Sequence, residues 1–292
     1  MHESSLEFLR CPKCTTKLDL DVHLQSNEID EGFLECHNCK MLFPIIEKVP
    51  ILWNDFANYL SFRHILGGKL YHFTKSKKIR TFLKENLTKN IRDKDRSSID
   101  ERWSRIYSES KNSTFYNFMK KTLDSLPESD FVLEHGCSIG LITSHLSNRN
   151  KLVIGLDQSF LALREAKKTF KPNLDYVVTD SSSHIFGKQK FDLIVALNIL
   201  ELVEPSDLID SISNQISDGY LVMSDPYDYD RGSKSVKNPL DAIQLREKLS
   251  DIGFTIRPDT TKPSFIPWTL KLNSRATLNY AVDLVIGHKS MK

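Results

Sequence analysis

The sequence predicts an α/β fold: a mostly parallel sheet of seven strands with helices on both faces, preceded by a small β-rich module and a helical connector. Three observations predict it. From Asp130 onward, apolar strand-like runs alternate with helical ones. The first two of those runs end in acidic residues beside glycine. Near the start, four of the five cysteines form two tight pairs.

Alternating strands and helices imply parallel strands joined by crossover helices. Phe131-Val132-Leu133 leads through a glycine turn to a helix over 141–146. Leu152-Val153-Ile154 leads to a helix over 160–170, and Tyr176-Val177-Val178 to a Ser-rich loop. The run 191–197 leads to a helix over 207–216, and Tyr220-Leu221-Val222-Met223 to one over 239–249. Block boundaries follow from composition. Residues 1–54 hold the paired cysteines and short strands, including Phe33-Leu34-Glu35 and Leu42–Ile46, and end near Pro50 and Asn54. Residues 55–125 are basic and helical, with aromatics at spacings of three and four and a polar break from Asn90 to Ser98. Residues 126–292 form the sheet domain.

Hydrophobic content of 40% and charged content of 27% suit a globular protein. No run of about 18 apolar residues is present and the start has no signal pattern, so a cytoplasmic protein without a membrane span is expected. The net charge of +2 is uneven. Residues 63–121 carry 16 Lys/Arg against 6 Asp/Glu, which leaves the rest of the chain acidic. Basic residues among aromatics, such as Lys75, Lys77, Lys78, Arg80, Lys84, Lys89 and Arg92, suit a nucleic-acid backbone; the other reading is a solvated helix face.

The pairs Cys11-Pro-Lys-Cys14 and Cys36-His-Asn-Cys39 are separated by 21 residues. Each Cys-x-x-Cys turn points two thiolates at one ion, and two turns close a tetrahedral site. The spacing is near the ribbon range of about 15–20 residues. Cys11, Cys14, Cys36 and Cys39 are therefore expected to bind a structural Zn2+, which supplies folding energy to a segment too short for a good core. Four thiolates leave no open position for a substrate. His37, between ligands, reads as solvated. The competing reading is buried or redox-active thiols, which a reducing compartment disfavours.

This block resembles the small zinc-ribbon activator proteins that partner methyltransferases of tRNA, rRNA and release factors. The residues that carry the likeness are Leu6–Cys14 and Phe43–Leu52, with Cys-Pro-x-Cys and Phe-Pro-Ile-x-x-x-Val-Pro. In those systems the ribbon is a separate subunit; here the resemblance implies a ribbon fused in cis, structural and activating.

The first sheet strand ends in Glu134-His135-Gly136-Cys137-Ser138-Ile139-Gly140. Glycines between a strand and a helix let the backbone approach a nucleotide. The next strand ends in Asp157, 17 residues after Gly140, where an acid accepts from ribose hydroxyls. The turn is not Gly-x-Gly-x-x-Gly, and its leading acid would repel a pyrophosphate but suit a sulfonium and an ammonium group. The run resembles the glycine motif of Rossmann-like S-adenosylmethionine-dependent methyltransferases, with Ser138 at the middle glycine. The resemblance implies an adenine contact from Asp180 and Ser181, and a cleft residue at Asn198 after the fourth strand. The expected cofactor contacts are Glu134, Gly136, Cys137, Ser138, Gly140, Asp157, Gln158, Asp180, Ser181 and Asn198. For Asp180 a local capping role competes, for Cys137 simple packing, for His135 packing over catalysis; Asp192 reads as stabilising its strand entry.

After Asn198 the chain reads Ile199-Leu200-Glu201-Leu202, without the Asn-Pro-Pro-Tyr run that grips an exocyclic amine or a glutamine amide. The loop Ser224-Asp225-Pro226-Tyr227-Asp228-Tyr229-Asp230-Arg231 follows the fifth strand, where open α/β folds build their sites. It is expected to hold a cationic or amine-bearing acceptor, with Asn198, Tyr227 and Asp225 as catalytic candidates; a solvated turn is the alternative. The segment partly resembles the mercaptohistidine methyltransferase domain of ovothiol synthesis, including a terminal strand pair at Phe265–Trp268 and Tyr280–Leu284. The function expected is methyl transfer to a small amine or imidazole compound. The alternatives are an RNA or protein methyltransferase, and a non-enzymatic RNA- or protein-binding module with a relic cofactor fold. An NAD oxidoreductase is disfavoured by the acidic turn.

Overall fold

The computed structural model describes residues 1–87, 92, 95–230 and 236–290. Lys89, Asn90 and Arg231 lie outside them. Four antiparallel strands come first: β1 (Asp19–Gln25), β2 (Ile29–Cys36), β3 (Met41–Ile46) and β4 (Val49–Pro50), paired in chain order. Glu47 and Lys48, both at positive φ, form the tight turn between β3 and β4. Helices α1 (Phe56–Ser61), α2 (His64–Phe73), α3 (Lys77–Leu87), α4 (Ser97–Glu109) and α5 (Thr114–Asp124) make the connector.

The large sheet then begins at its centre. Its elements are β5 (Phe131–His135), α6 (Leu141–Leu146), β6 (Leu152–Asp157), α7 (Phe160–Ala166), β7 (Leu174–Val178), β8 (Leu193–Leu197), α8 (Pro205–Gln215), β9 (Gly219–Asp225), α9 (Ala242–Asp251), β10 (Thr255–Ile256), β11 (Ile266–Lys271) and β12 (Thr277–Lys289). The order is β10-β12-β9-β8-β5-β6-β7. The neighbours from β7 to β9 are parallel and β12 joins β9 antiparallel. The expected seven strands form this path, and β11 is an eighth that pairs with the first half of β12, Trp268 opposite Tyr280. The helix expected over 160–170 ends at Ala166. Pro172 disfavours helical backbone at the residue before it, so the chain turns early.

Residues on β5 to β8 are almost continuously buried, as parallel strands covered on both faces must be. One face packs on the connector through Phe115, Met119 and Leu123, with Trp268 of β11 in the same cluster. The other shares its core with the small sheet: Leu9, Leu34, Phe43 and Leu52 lie in one cluster with Leu156, Val177 and Phe186. A module of about 50 residues has little core of its own, and merging cores solves that. The backbone seals the seam. Leu52 N–H donates to Val178 O at 2.8 Å and Arg10 N–H to Ile185 O at 2.6 Å. No helix among the described residues is long and apolar enough to cross a membrane.

Candidate functional site

The chain runs outward from β5 to β6 and β7, then returns to the other side of β5 as β8. This reversal makes a topological switch point at the carboxyl ends of β5 and β8, the place where open α/β sheets bind ligands. Glu134 and His135 end β5, and Asn198 follows β8. Gly136 (φ 69°), Ser138 (φ 48°) and Gly140 (φ 70°) carry the loop between β5 and α6 in left-handed backbone. A Cβ on Gly140 would lie 2.3 Å from the Tyr176 hydroxyl, and one on Gly136 2.8 Å from Ile199 Cδ1. Both glycines are therefore sterically required.

Two acids border this loop. Asp157, at the end of β6, accepts from Ser138 N–H and Ser159 N–H, both at 2.8 Å. Glu134 is buried and accepts from the Thr143 hydroxyl. Burial pushes Glu134 up to about 7 against that hydrogen bond, and pushes Asp157 up to about 6 against its two amide bonds. Acids shifted in this way at strand ends make this loop the candidate binding site. Thr179, just past β7, keeps its buried hydroxyl oxygen without a partner among the described residues.

Several other residues settle into local roles. Asp180 is exposed and accepts from the Ser182 amide at 2.9 Å and hydroxyl at 2.6 Å, while Ser181 beside it is buried. Cys137 is buried, with its thiol pushed well above the usual range by burial, so it packs rather than reacts. His135 is buried, bonded to Gln215 at 2.8 Å, and burial drops it to about 4, which keeps the ring neutral. Asp192 accepts from the amides of Asp130 and Phe131 at the entry to β5.

The rim after β8 and β9 is tightly cross-linked. Asn198 (φ 55°) and Tyr227 (φ 54°) are left-handed, a strain that such rims tolerate. Asn198 Oδ1 accepts from the Ser224 hydroxyl at 3.0 Å. Asp225 is fully buried and accepts from Leu200 N–H and Tyr227 N–H, both at 2.8 Å, so it shapes the rim. Tyr227 donates to Asp283 at 2.9 Å, and burial holds its hydroxyl above the ordinary range, so it stays protonated. Asp283 is in turn held by Arg246 at 2.7 and 3.0 Å. Tyr280 donates to Asp228 at 2.9 Å. Beside this lies an aromatic wall that joins the connector to the terminal strands. Tyr107 and Trp268 are parallel with centroids 6.3 Å apart, Trp103 flanks Tyr107 at 5.7 Å, and Tyr280 flanks Trp268 at 5.7 Å.

The connector supplies residues that the sequence did not mark. Arg63 is buried, donates to Asp100 at 3.0 Å and to Gln158 Oε1 at 3.2 Å, and lies over the Tyr59 ring at 4.6 Å. Its position inside a basic block reads as exposed; only the fold reveals that it faces the acidic rim.

The four paired cysteines converge, with their sulfurs all within 4.8 Å of one another. Cys39 N–H points at Cys36 Sγ at 3.4 Å. Thr15 and Lys40, each just after the second cysteine of its pair, repeat the same left-handed backbone at φ 57° and 56°. This is a four-thiolate donor set that fits a tetrahedral ion. The residues with this geometry, 3–47, match the Trm112p-like protein family, and residues 132–217 match the methyltransferase domain family.

The chain joins a Trm112-like domain to a methyltransferase domain.

The methyltransferase domain has the Rossmann-like fold of solved relatives. A chain from the complex between the Haloferax volcanii Trm112 methyltransferase activator and the protein assigned as its methyltransferase is 15% identical, with a TM-score of 0.54, covering 68% of this chain and 96% of that one. Magnesium protoporphyrin IX methyltransferase of Synechocystis PCC 6803, with bound SAH, is 18% identical, with a TM-score of 0.48, over 66% of this chain and 95% of that one. A TehB-like SAM-dependent methyltransferase of Corynebacterium glutamicum is 21% identical, with a TM-score of 0.46, over 66% and 97%. No protein of curated function matches the chain.

Proposed function

We propose that the chain transfers a methyl group from S-adenosylmethionine to a small acceptor bearing an amine or imidazole-type nitrogen. The observation that carries the cofactor half is the pair of desolvated acids, Glu134 and Asp157, on either side of a loop that admits no side chain at Gly136 or Gly140. Asp157 suits the ribose hydroxyls, and Glu134 suits the ammonium end of the ligand. Thr179, with its unpaired hydroxyl, and Ser181 border the adenine side. Bound adenosylmethionine supplies an activated sulfonium methyl. The protein's task is to position the acceptor in line with it, which needs no base unless the acceptor must lose a proton.

The acceptor half rests on the partly buried rings of Trp103, Tyr107 and Tyr280, backed by the fully buried Trp268, and on the Asp228 carboxylate that accepts from Tyr280. Aromatic faces beside a carboxylate favour an organic cation or a protonated ring. A second reading, an RNA or protein acceptor, is favoured by the exposed Lys75, Lys77, Lys78 and Lys84 at α3. In both readings Cys11, Cys14, Cys36 and Cys39 hold a structural zinc ion. The ribbon then acts through the backbone bonds of Leu52 and Arg10, which pin the end of β7 at Val178 and the middle of the loop after it at Ile185.

The test is transfer of labelled methyl from S-adenosylmethionine into a cell extract separated into small molecules, RNA and protein. Label in the small-molecule fraction is expected. Label in RNA or protein selects the second reading, and no label in any fraction, with the cofactor bound, contradicts methyl transfer.

A further inference from the structure

We propose that Arg63 is a positioning residue for the cofactor pocket, tying the connector helices to Gln158 and supplying the counter-charge that faces Asp157. The inference rests on the cofactor reading above. Arg63 lies between α1 and α2 and is only 2% exposed. A buried guanidinium must be paired, and its pairs here all lead to the rim. Nε donates to Asp100 on α4 at 3.0 Å, and Nη2 donates to Gln158 Oε1 at 3.2 Å. Its plane lies over Tyr59, whose hydroxyl donates to the Gln158 carbonyl at 3.0 Å. Tyr59 of α1 and Arg63 at the α1–α2 junction thus converge on the single residue that follows Asp157, with Asp100 of α4 holding Arg63 in place.

The electrostatics run the same way. Burial raises Asp157, the amides of Ser159 and Ser138 lower it, the Asp100 carboxylate raises it and Arg63 lowers it. Glu134 on β5, Cys137 in the glycine loop and Tyr59 on α1 also interact with it. Glu134 titrates nearby, but its shift comes from burial, Thr143 and Asp157, without a contribution from Arg63. Changing Arg63 therefore moves the Asp157 part of the acid limb of ligand binding. Arg63→Met removes the favourable charge, so Asp157 takes up its proton at higher pH. Asp100→Asn removes the unfavourable one, so the limb moves to lower pH.

The experiment is calorimetric titration of the full chain with S-adenosylhomocysteine from pH 5 to 8.5, with a thermal melt of each variant at every pH. Arg63→Met should move the midpoint of the acid limb upward by up to about one unit, a roughly tenfold weaker binding on the acid side. Asp100→Asn should move it down, and Arg63→Met combined with Asp100→Asn should return it toward the unsubstituted chain. Arg63→Lys should keep the limb in place and weaken binding at all pH values by losing the contact to Gln158. If Arg63→Met fails to fold, Asp100→Asn and Arg63→Lys still decide the matter. Folded variants that lower the melting temperature and leave the limb unmoved would overturn this inference alone. An unsubstituted chain that binds no S-adenosylhomocysteine at any pH would overturn the cofactor reading and this inference with it.

Discussion

Two clusters of buried carboxylates sit near β6 and β7 and behave in opposite ways. At the seam between the sheets, Glu28 and Asp175 share the ammonium of Lys167, and all three side chains are almost fully buried. Burial opposes the charge on Asp175, but Lys167 holds its carboxyl below the usual range. At the strand ends, Glu134 has a hydroxyl and Asp157 has two backbone amides and the weaker pull of Arg63, and burial still lifts both. The seam acids are spent on holding the domains together. In the proposed reading, the rim acids are poised for a ligand that brings its own hydroxyls and positive charge.

The pH signs differ accordingly. The depressed carboxyl of Asp175 contributes stability above its unfolded value and loses it as pH falls through its folded value. Glu134 has a raised folded value, so its contribution is full below the ordinary glutamate value of 4.5 and is lost as pH rises through about 7. Acid therefore loosens the seam and firms the ligand-free rim.

Metal removal is the largest expected effect on this contrast. Chelation should unfold the ribbon, a loss on the order of 10 kcal/mol of metal-linked folding energy, and expose the seam; circular dichroism with metal analysis reads it. Next comes Lys167→Met, which takes from Glu28 and Asp175 the buried cation they share and leaves Glu28 the Met1 ammonium at 3.6 Å and Asp175 the Ser5 hydroxyl at 2.5 Å. It should cost roughly 3–5 kcal/mol in denaturant melts while leaving the pH limb of ligand binding in place. Combining it with Glu28→Gln and Asp175→Asn should restore much of the loss. Glu134→Gln is the smallest. It should stabilise the ligand-free protein at pH 8 by about 2 kcal/mol and flatten its stability between pH 5 and 8.

Much of this was legible in the sequence, because spacing carries it. The cysteine pairs, Glu134, the glycines and Asp157 stand at fixed offsets along single strands and turns; the fold brings the four cysteines together and sets Asp157 against the glycine loop. The terminal strand pair at Trp268 and Tyr280 was legible only through the partial resemblance to the mercaptohistidine methyltransferase domain. What was not legible depends on long-range packing. Arg63 reads as one more basic residue until α1, α2 and α4 fold over β6. Lys167 looks like the tail of a helix until Glu28 arrives from the ribbon. Asp225 reads as an acid offered to a substrate, yet it is fully buried and accepts from the Leu200 and Tyr227 amides.

The central claim is that the strand-end acids bind S-adenosylmethionine, and calorimetry with S-adenosylhomocysteine at pH 8 tests it most directly. The unsubstituted chain should bind, and Asp157→Ala should bind at least about 100-fold more weakly, roughly 2.7 kcal/mol, while melting no lower than the unsubstituted chain without ligand. Equal affinity in the two proteins would contradict the account.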